Sequence, residues 1–381
     1  MPKSTQQALI QQVHDSRLRM ALAVTGGGSS AISGLLGTPG ASRTVLAAAV
    51  PYAESALAEW LGAAPDGSCS ARTARAMAMA AFQKARAYDP SAAESGAVAC
   101  GVACTASLAS DRPKKGPHRA HLAYQTGTTT AEWSVMLEKG LRSRAEEEAI
   151  VADLLLNLIA EAAGVDARLD VSLTDAEPLH INQTVAPSTW QALLAGDTRA
   201  VPCHAAHAPQ PPAAVFPGAF NPLHSGHRTM AQIAGAQLGC SVAFEVSTAN
   251  VDKPPLDFIE IGNRLEYFDQ TDCVWLSRAP LFTEKASLFP GATFVVGADT
   301  IWRIGHVRYY GDRQAEMDRA IDQIAAAGCR FLVFGRTIDR QFRSLSALEL
   351  PATLAALCQE VPEATFRDDI SSTELRRRQE G

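Results

Sequence analysis

The sequence predicts an α/β protein in two parts, the second a Rossmann-like, doubly wound parallel sheet. The first observation behind this is length: 381 residues is about two and a half times a single-domain length of roughly 150. The second is a stretch rich in Pro and Ala and free of charge, residues 202–214, which reads as an extended connector. The third is that short β-rich runs alternate with helical patterns after it, an order that implies βαβ units and a sheet covered on both faces.

Taking the elements in turn, residues 1–165 form the first domain, and Ser143–Ala163 within it is a helix. Ile150, Leu154, Leu155, Leu158 and Ile159 recur there at spacings of three and four, with Gly164 as the stop. Residues 166–212 read as a few appended strands, Leu169–Leu173 among them, followed by the linker. In residues 213–381 the strands are Ala214–Phe216, Val242–Val246, Val274–Leu276, Thr293–Val296 and Phe331–Phe334. Helices cover 225–238, 259–268 and Arg313–Ala327. In such a sheet ligands bind at the carboxyl ends of the strands.

Composition narrows the function. With 47% hydrophobic and 19% charged residues, wholesale disorder and collagen-like repeats are excluded. The net charge of −6 divides into −2 over residues 1–212 and −4 over 213–381, so neither half reads as a nucleic-acid platform. The start lacks an apolar run behind a basic tip, and no stretch reaches the ~18 apolar residues of a membrane span, so a cytoplasmic location is expected. Eight cysteines without a CxxC pair read mostly as reduced core residues. Cys203-His204-x-x-His207 lies in the connector without a fourth ligand, and no protein metal site is expected.

The chemistry-bearing motif follows the first strand of the second domain: Phe216-Pro-Gly-Ala-Phe-Asn-Pro-Leu-His-Ser-Gly-His227. It places His224 and His227, three residues apart, at a helix N-terminus whose unpaired N–H groups and dipole attract an anion. Gly218 lets the backbone approach a ligand, and Gly226 leaves room between the histidines for a phosphate. At the far end, Ile370-Ser-Ser-Thr-Glu-Leu-Arg376 carries the S-x-x-E spacing of a capping box, and a capped helix start with Ser371, Ser372, Thr373 and Arg376 is also a phosphate cradle.

These two motifs resemble the HxGH and ISSTxxR signatures of the HxGH nucleotidylyltransferase superfamily. The resemblance implies transfer of AMP or CMP from a nucleoside triphosphate to a phosphate-bearing acceptor. Three features are similar to the nicotinamide/nicotinate mononucleotide adenylyltransferase branch: the terminal Arg376, the strand-then-GxD element Val295-Val-Gly-Ala-Asp299, and Val246–Lys253, where that branch has a strand and a phosphate-facing Lys. The resemblance implies catalytic roles for His224, His227, Lys253 and Arg376. It implies nucleotide contacts from Gly218, Phe220, Asn221, Gly226, Gly297, Asp299, Trp302, Arg336, Ser371, Ser372 and Thr373. Bland readings stand beside these: Gly297 and Asp299 as a strand-end turn, Lys253 as a solvated charge, Trp302 as core, Arg336 in a surface ion pair. The expected donor is ATP with Mg²⁺. The acceptor is nicotinamide or nicotinate mononucleotide, with a pantetheine-phosphate or glycerol-phosphate type of cytidylyl or adenylyl transfer, or pure nucleotide sensing, as alternatives. No nucleic acid or membrane partner is expected, and a homo-oligomer is.

In the first domain Ala23-Val-Thr-Gly-Gly27, Gly37–Ser42, Val50-Pro-Tyr52, Gly101–Thr105 and Ser110–Gly116 resemble, in order and spacing, the CinA carboxy-terminal domain, a family that includes nicotinamide-mononucleotide deamidases. The resemblance implies a nucleophilic Ser within Glu-Ser-Cys-Thr-Gly-Gly and a basic Lys. Here these positions hold Ala23 and Leu57, with Thr25, Gly26, Gly27 and Tyr52 matching. Neither alanine nor leucine can attack or take a proton, so a non-catalytic domain is expected. Ser29 or Ser30 is the alternative nucleophile, and Gly26–Gly28 keep backbone N–H groups that could face a phosphate.

Overall fold

The computed structural model describes residues 5–366 apart from 93, 113–114, 204–210, 251–252 and 339–340. Two units are present, each built on its own sheet: Met1–Ala195 with Asp252–Ile261, and Gly196–Val251 with Gly262–Gly381.

The first unit contains α1 (Thr5–His14), β1 (Leu18–Thr25), α2 (Ser29–Gly37), β2 (Val45–Ala49), α3 (Glu54–Leu61), α4 (Ala71–Tyr88), β3 (Val98–Ser107), β4 (His118–Thr126), β5 (Thr129–Leu137), α5 (Arg144–Ala162), β6 (His180–Val185) and α6 (Ser188–Ala195). Its strand order is β2-β1-β3-β4-β5-β6, with β1 parallel to β2 and β3 and the remaining pairs antiparallel. Strand β1 is buried on both faces, as a central parallel strand must be. Alternate residues separate two cores: Leu22, Leu122 and Trp133 meet Leu155 and Ile159 of α5, whereas Ala23, Ala103 and Ala123 meet Met77 and Ala78 of α4. Helix α5 starts with a full capping box. Ser143 Oγ accepts from Glu146 N–H at 3.3 Å, and the Glu146 carboxylate accepts from Ser143 N–H at 2.7 Å.

The strand expected at Leu169–Leu173 does not form. Leu169, Val171 and Leu173 pack against the α5 core, but Asn157 takes the backbone: its side chain accepts from Leu169 N–H at 2.7 Å and donates to Leu169 O at 2.9 Å. A side chain thereby satisfies groups a ladder would have used. The rest of residues 166–212 divides, with β6 and α6 in the first unit and the next strand in the second sheet.

The second unit runs β7 (Ala200–Pro202), β8 (Ala214–Pro217), α7 (Ser225–Leu238), β9 (Val242–Ser247), α8 (Phe258–Leu265), β10 (Val274–Ser277), α9 (Phe282–Leu288), β11 (Thr293–Gly297), α10 (Ala298–Ile304), α11 (Gln314–Ala326), β12 (Arg330–Phe334), β13 (Arg336–Ile338), β14 (Gln341–Arg343), α12 (Ala352–Ala355) and β15 (Cys358–Val361), α8 being divided between the units. The main sheet has the order β15-β12-β11-β8-β9-β10-β7, parallel except for β7. Chain order reverses at β8, so the carboxyl ends of β8 and β11 diverge and leave a crevice. Cys100, Cys104 and Cys329 are buried and the other five cysteines are half-buried, fewer in the core than composition suggested; all eight are free thiols. Among the described residues no helix is long and apolar enough to cross a membrane.

The sheet carries a buried ion pair. Lys285 Nζ of α9 lies 2.6 Å from Glu245 Oε2 of β9, and Ser277 Oγ of β10 donates to the other carboxylate oxygen. Removing one partner strands the other charge without water. Lys285→Met is therefore expected to cost about 3–5 kcal/mol, read as a lower urea midpoint, and adding Glu245→Gln should recover part of the loss.

Candidate active site

Strand β8 ends in Pro217, and the chain turns through Gly218-Ala219-Phe220 before α7 begins at Ser225 with His224 as its N-cap. Phe220 sets this turn. Its ring is buried edge-on against Phe216, Phe244 and Phe268 at centroid distances of 5.3, 5.3 and 5.6 Å, and its φ is +43°. A Cβ at Gly218 would meet the Phe220 ring at 2.5 Å, so a glycine is needed there because an aromatic ring fills the space.

The same rings hold His227. Phe220 and Phe216 present edges to the imidazole at 5.1 and 5.9 Å, and the two histidine rings lie 3.7 Å apart. His227 Nδ1 accepts from His224 N–H at 3.3 Å, which leaves the ring proton on Nε2 as a donor. Burial, reinforced by His224 and then Arg336, depresses the His227 pKa to about 3. At neutral pH the imidazole is an uncharged hydrogen-bond donor beside the positive end of α7.

A cavity of about 250 Å³ opens over these groups at the carboxyl ends of β8, β11 and β12. Of the residues singled out in the sequence, Gly218, Phe220, His224, Gly226, His227, Gly297, Asp299 and Arg336 line it. Arg336 Nη1 is 3.5 Å from Asp299 Oδ1, so the ion-pair and cavity readings of Arg336 hold together. Asn221 sits in the turn but not in the lining. Lys253 is exposed, belongs to the segment counted with the first unit, and is not among the lining residues. Ser371, Ser372, Thr373 and Arg376 lie outside the described residues. Trp302 is neither core nor cavity wall: on half-buried α10 it meets His306 at 4.6 Å, with the Arg308 guanidinium 4.9 Å over its ring.

Sequence reasoning missed Thr300, Phe334 and Phe366, which also line it. Phe334 and Thr300 were legible in principle, flanking Arg336 and Asp299 at strand ends. Phe366, edge-on to Phe334 at 5.3 Å, carries no local signal. Thr300 also lines a second cavity of about 850 Å³ with Arg303, Arg313, Arg319, Tyr309 and Phe282. Glu316 pairs with Arg313 and Arg319 at 3.8 and 3.3 Å, which leaves these charges cationic in sum.

In the first unit, Ala23 and Leu57 come together in one apolar cluster with Leu61, Ala74 and Met77, both essentially inaccessible. Thr25 is buried, while Tyr52 is 69% exposed and takes no part. Gly26, at φ +77°, passes so close to Ala106 O that a Cβ would overlap it, and a Cβ at Gly27 would meet Leu108 Cδ1 at 2.6 Å. The N-terminus of α2 is already occupied. Glu148 accepts from Gly28 N–H at 2.9 Å, Ser30 N–H at 3.1 Å and Ser29 Oγ at 3.0 Å. Of the Gly26–Gly28 N–H groups expected to be able to face a phosphate, that of Gly28 donates to Glu148 of α5, and both candidate serines donate to the same carboxylate.

Residues 215–378 match the family model described as cytidylyltransferase-like. No curated protein matches the chain. Among solved structures, the competence/damage inducible protein CihA from Agrobacterium tumefaciens is 19% identical, covering 44% of this chain and 99% of that one with a TM-score of 0.35. A competence or damage-inducible protein from Enterobacter asburiae is 14% identical, covering 42% and 98% with a TM-score of 0.33. A CinA superfamily protein from Escherichia coli is 15% identical, covering 42% and 86% with a TM-score of 0.30.

The depressed His227 pKa has a sign that can be tested. Between pH 6.5 and about 3 the unfolded chain binds a proton that the folded ring refuses, so this contribution is complete above pH 6.5 and is lost as pH falls. Urea midpoints measured at pH 7 and pH 5 should fall less steeply for His227→Gln than for the parent protein. Equal slopes would mean that the ring titrates normally.

Proposed function

We propose, from residues 215–378 being a cytidylyltransferase-like domain and thus a nucleotidyltransferase, that the protein transfers AMP from ATP to nicotinamide or nicotinate mononucleotide, releasing pyrophosphate. The observation that carries this reading is convergence: two histidines with rings 3.7 Å apart on a helix N-terminus, with Asp299 and Arg336, surround one cavity at the switch point. The larger neighbouring cavity shares Thr300 and offers arginines for a phosphate and Tyr309 and Phe282 for a ring. That suits a mononucleotide acceptor.

The acceptor's phosphate oxygen attacks the α-phosphorus in line, and the bond to pyrophosphate breaks, so no protein nucleophile is required. His227 Nε2–H would donate to an α-phosphate oxygen as negative charge builds there, with His224 and the α7 N–H groups beside it. Arg336 would exchange Asp299 for phosphate. Ser371, Ser372, Thr373 and Arg376 are the expected cradle for the β- and γ-phosphates. Lys253 takes a part only if its loop brings it to them. Mg²⁺ would accompany the triphosphate. Phosphates and water would supply its ligands, and its charge would favour pyrophosphate departure.

The first unit has hydrocarbon where an amidase needs a hydroxyl and an amine, and we read it as non-catalytic. CTP, and pantetheine-type or glycerol-type phosphates, are the competing donor and acceptors.

Pyrophosphate release measured over ATP and CTP with a panel of these phosphates should be fastest for ATP with a pyridine mononucleotide. His227→Ala should lower kcat by roughly 10²–10⁴ with the fold intact. Unchanged turnover in that variant would sink the assignment. Ammonia release from nicotinamide mononucleotide by the full chain should not exceed a no-enzyme control.

A further inference from the structure

Strand β6 (His180–Val185) ends the first unit's sheet, and its outer row of N–H and C=O groups has no strand partner among the described residues. The opposite edge, β2, is half-buried along most of its length. Of the six residues of β6, all but Thr184 are exposed.

An open strand is a template for pairing, and proteins usually blunt one with Lys, Pro, a bulge or a cover. β6 has none of these. Its sequence, His-Ile-Asn-Gln-Thr-Val, lacks Lys, Arg, Asp, Glu and Pro, and it runs beside β5 in unbroken register, from Val185 opposite Thr129 to His180 opposite Ser134. Ile, Thr and Val favour the extended backbone that pairing needs.

The side chains select the partner. Ile181 and Val185, 57% and 68% exposed, share a face with Gln183, because residues two apart in a strand point the same way. That face is the one α5 covers further in, since Ile181 lies opposite Trp133 of the α5 core and Gln183 Nε2 donates to the Tyr124 hydroxyl at 2.9 Å. Two exposed β-branched side chains therefore flank an anchored Gln183 at equal distances. When a second β6 lies antiparallel about a two-fold axis through Gln183, Ile181 of each copy meets Val185 of the other, and Asn182 meets Thr184. Apolar groups meet apolar ones, and polar groups polar ones. Moving the centre by one residue sets Ile181 or Val185 against Gln183 instead. Charge agrees with this: an isologous contact places a strand against its own copy, where like charges would repel, and β6 carries no carboxylate, ammonium or guanidinium group.

We propose that β6 is a homodimerisation edge, at which two copies of this chain pair antiparallel about Gln183 and join two six-stranded sheets into one. A six-residue strand spans about 20 Å and offers less than the ~800 Å² per partner of a standard interface. The association is accordingly weak and follows chain concentration. It is independent of the transferase reading.

Sedimentation velocity of the full chain from about 1 to 200 µM should show the weight-average coefficient rising from monomer toward dimer. Ile181→Lys and Val185→Glu, at exposed sites, should each weaken association by about tenfold or more, because either sets a charge against an aliphatic side chain twice per dimer. Combining both in one chain sets an ammonium opposite a carboxylate twice in the proposed register and in no shifted one. Association should then return to within about threefold of the parent at low salt and weaken in about 0.5 M NaCl, with urea midpoints near the parent's throughout. A parent that stays monomeric, single variants that associate like the parent, or a folded double variant that stays monomeric each overturns the proposal. Where the variants do not fold, amide exchange in the parent decides: it should slow over residues 180–185 as concentration rises and stay constant over Val45–Ala49 in β2. Exchange over 180–185 that is independent of concentration overturns the proposal as well.

Discussion

The reversal of strand order at β8 is the constraint from which the second unit's chemistry descends. β9 and β10 extend the sheet in one direction and β11, β12 and β15 in the other, so connections leaving β8 and β11 must diverge. Packing cannot close the gap, because both strands are already committed to parallel ladders. What the chain places there is the start of α7, with the His227 imidazole kept neutral by burial and the His224 ring beside it. Gly218, Phe220 and His227 form a series in which each depends on the one before: the missing Cβ admits the ring, and the ring seats the imidazole.

Much of this was legible in the amino-acid order because its signals are local. Helix α7 occupies Ser225–Leu238, as the spacing of Met230, Ile233, Ala234 and Leu238 indicates, and β8 to β12 fall within a residue or two of the apolar runs that mark them. Gly297, Asp299 and Arg336 could be placed at strand ends from the runs preceding them. The misreadings share a cause in partners distant in sequence. Leu169–Leu173 alternates like a strand, but Asn157 on another element claims its backbone. Asp257 and Phe258 in their turn are held by Arg75 and Thr130, more than 120 residues earlier, and nothing nearby in the sequence signals those partners.

Ala23 and Leu57, far apart in the chain, meet in one apolar cluster of the first unit, where methyl and isobutyl groups exclude water. Hydrocarbon closed off on every side in this way is sound core. Elsewhere in the unit Glu147 lies 2.6 Å from His118 and accepts from Ala109 N–H at 2.7 Å.

The Glu148 carboxylate at the head of α2 has a further consequence for any soluble anion. A group tethered by a rigid helix and already oriented on two N–H donors and two serine hydroxyls competes at an effective concentration far above the millimolar level of a flexible tether. A free phosphate reaching those donors would displace a bound competitor that cannot diffuse away. In mass-action terms, the Gly28 and Ser30 donors already hold a partner that the fold itself supplies.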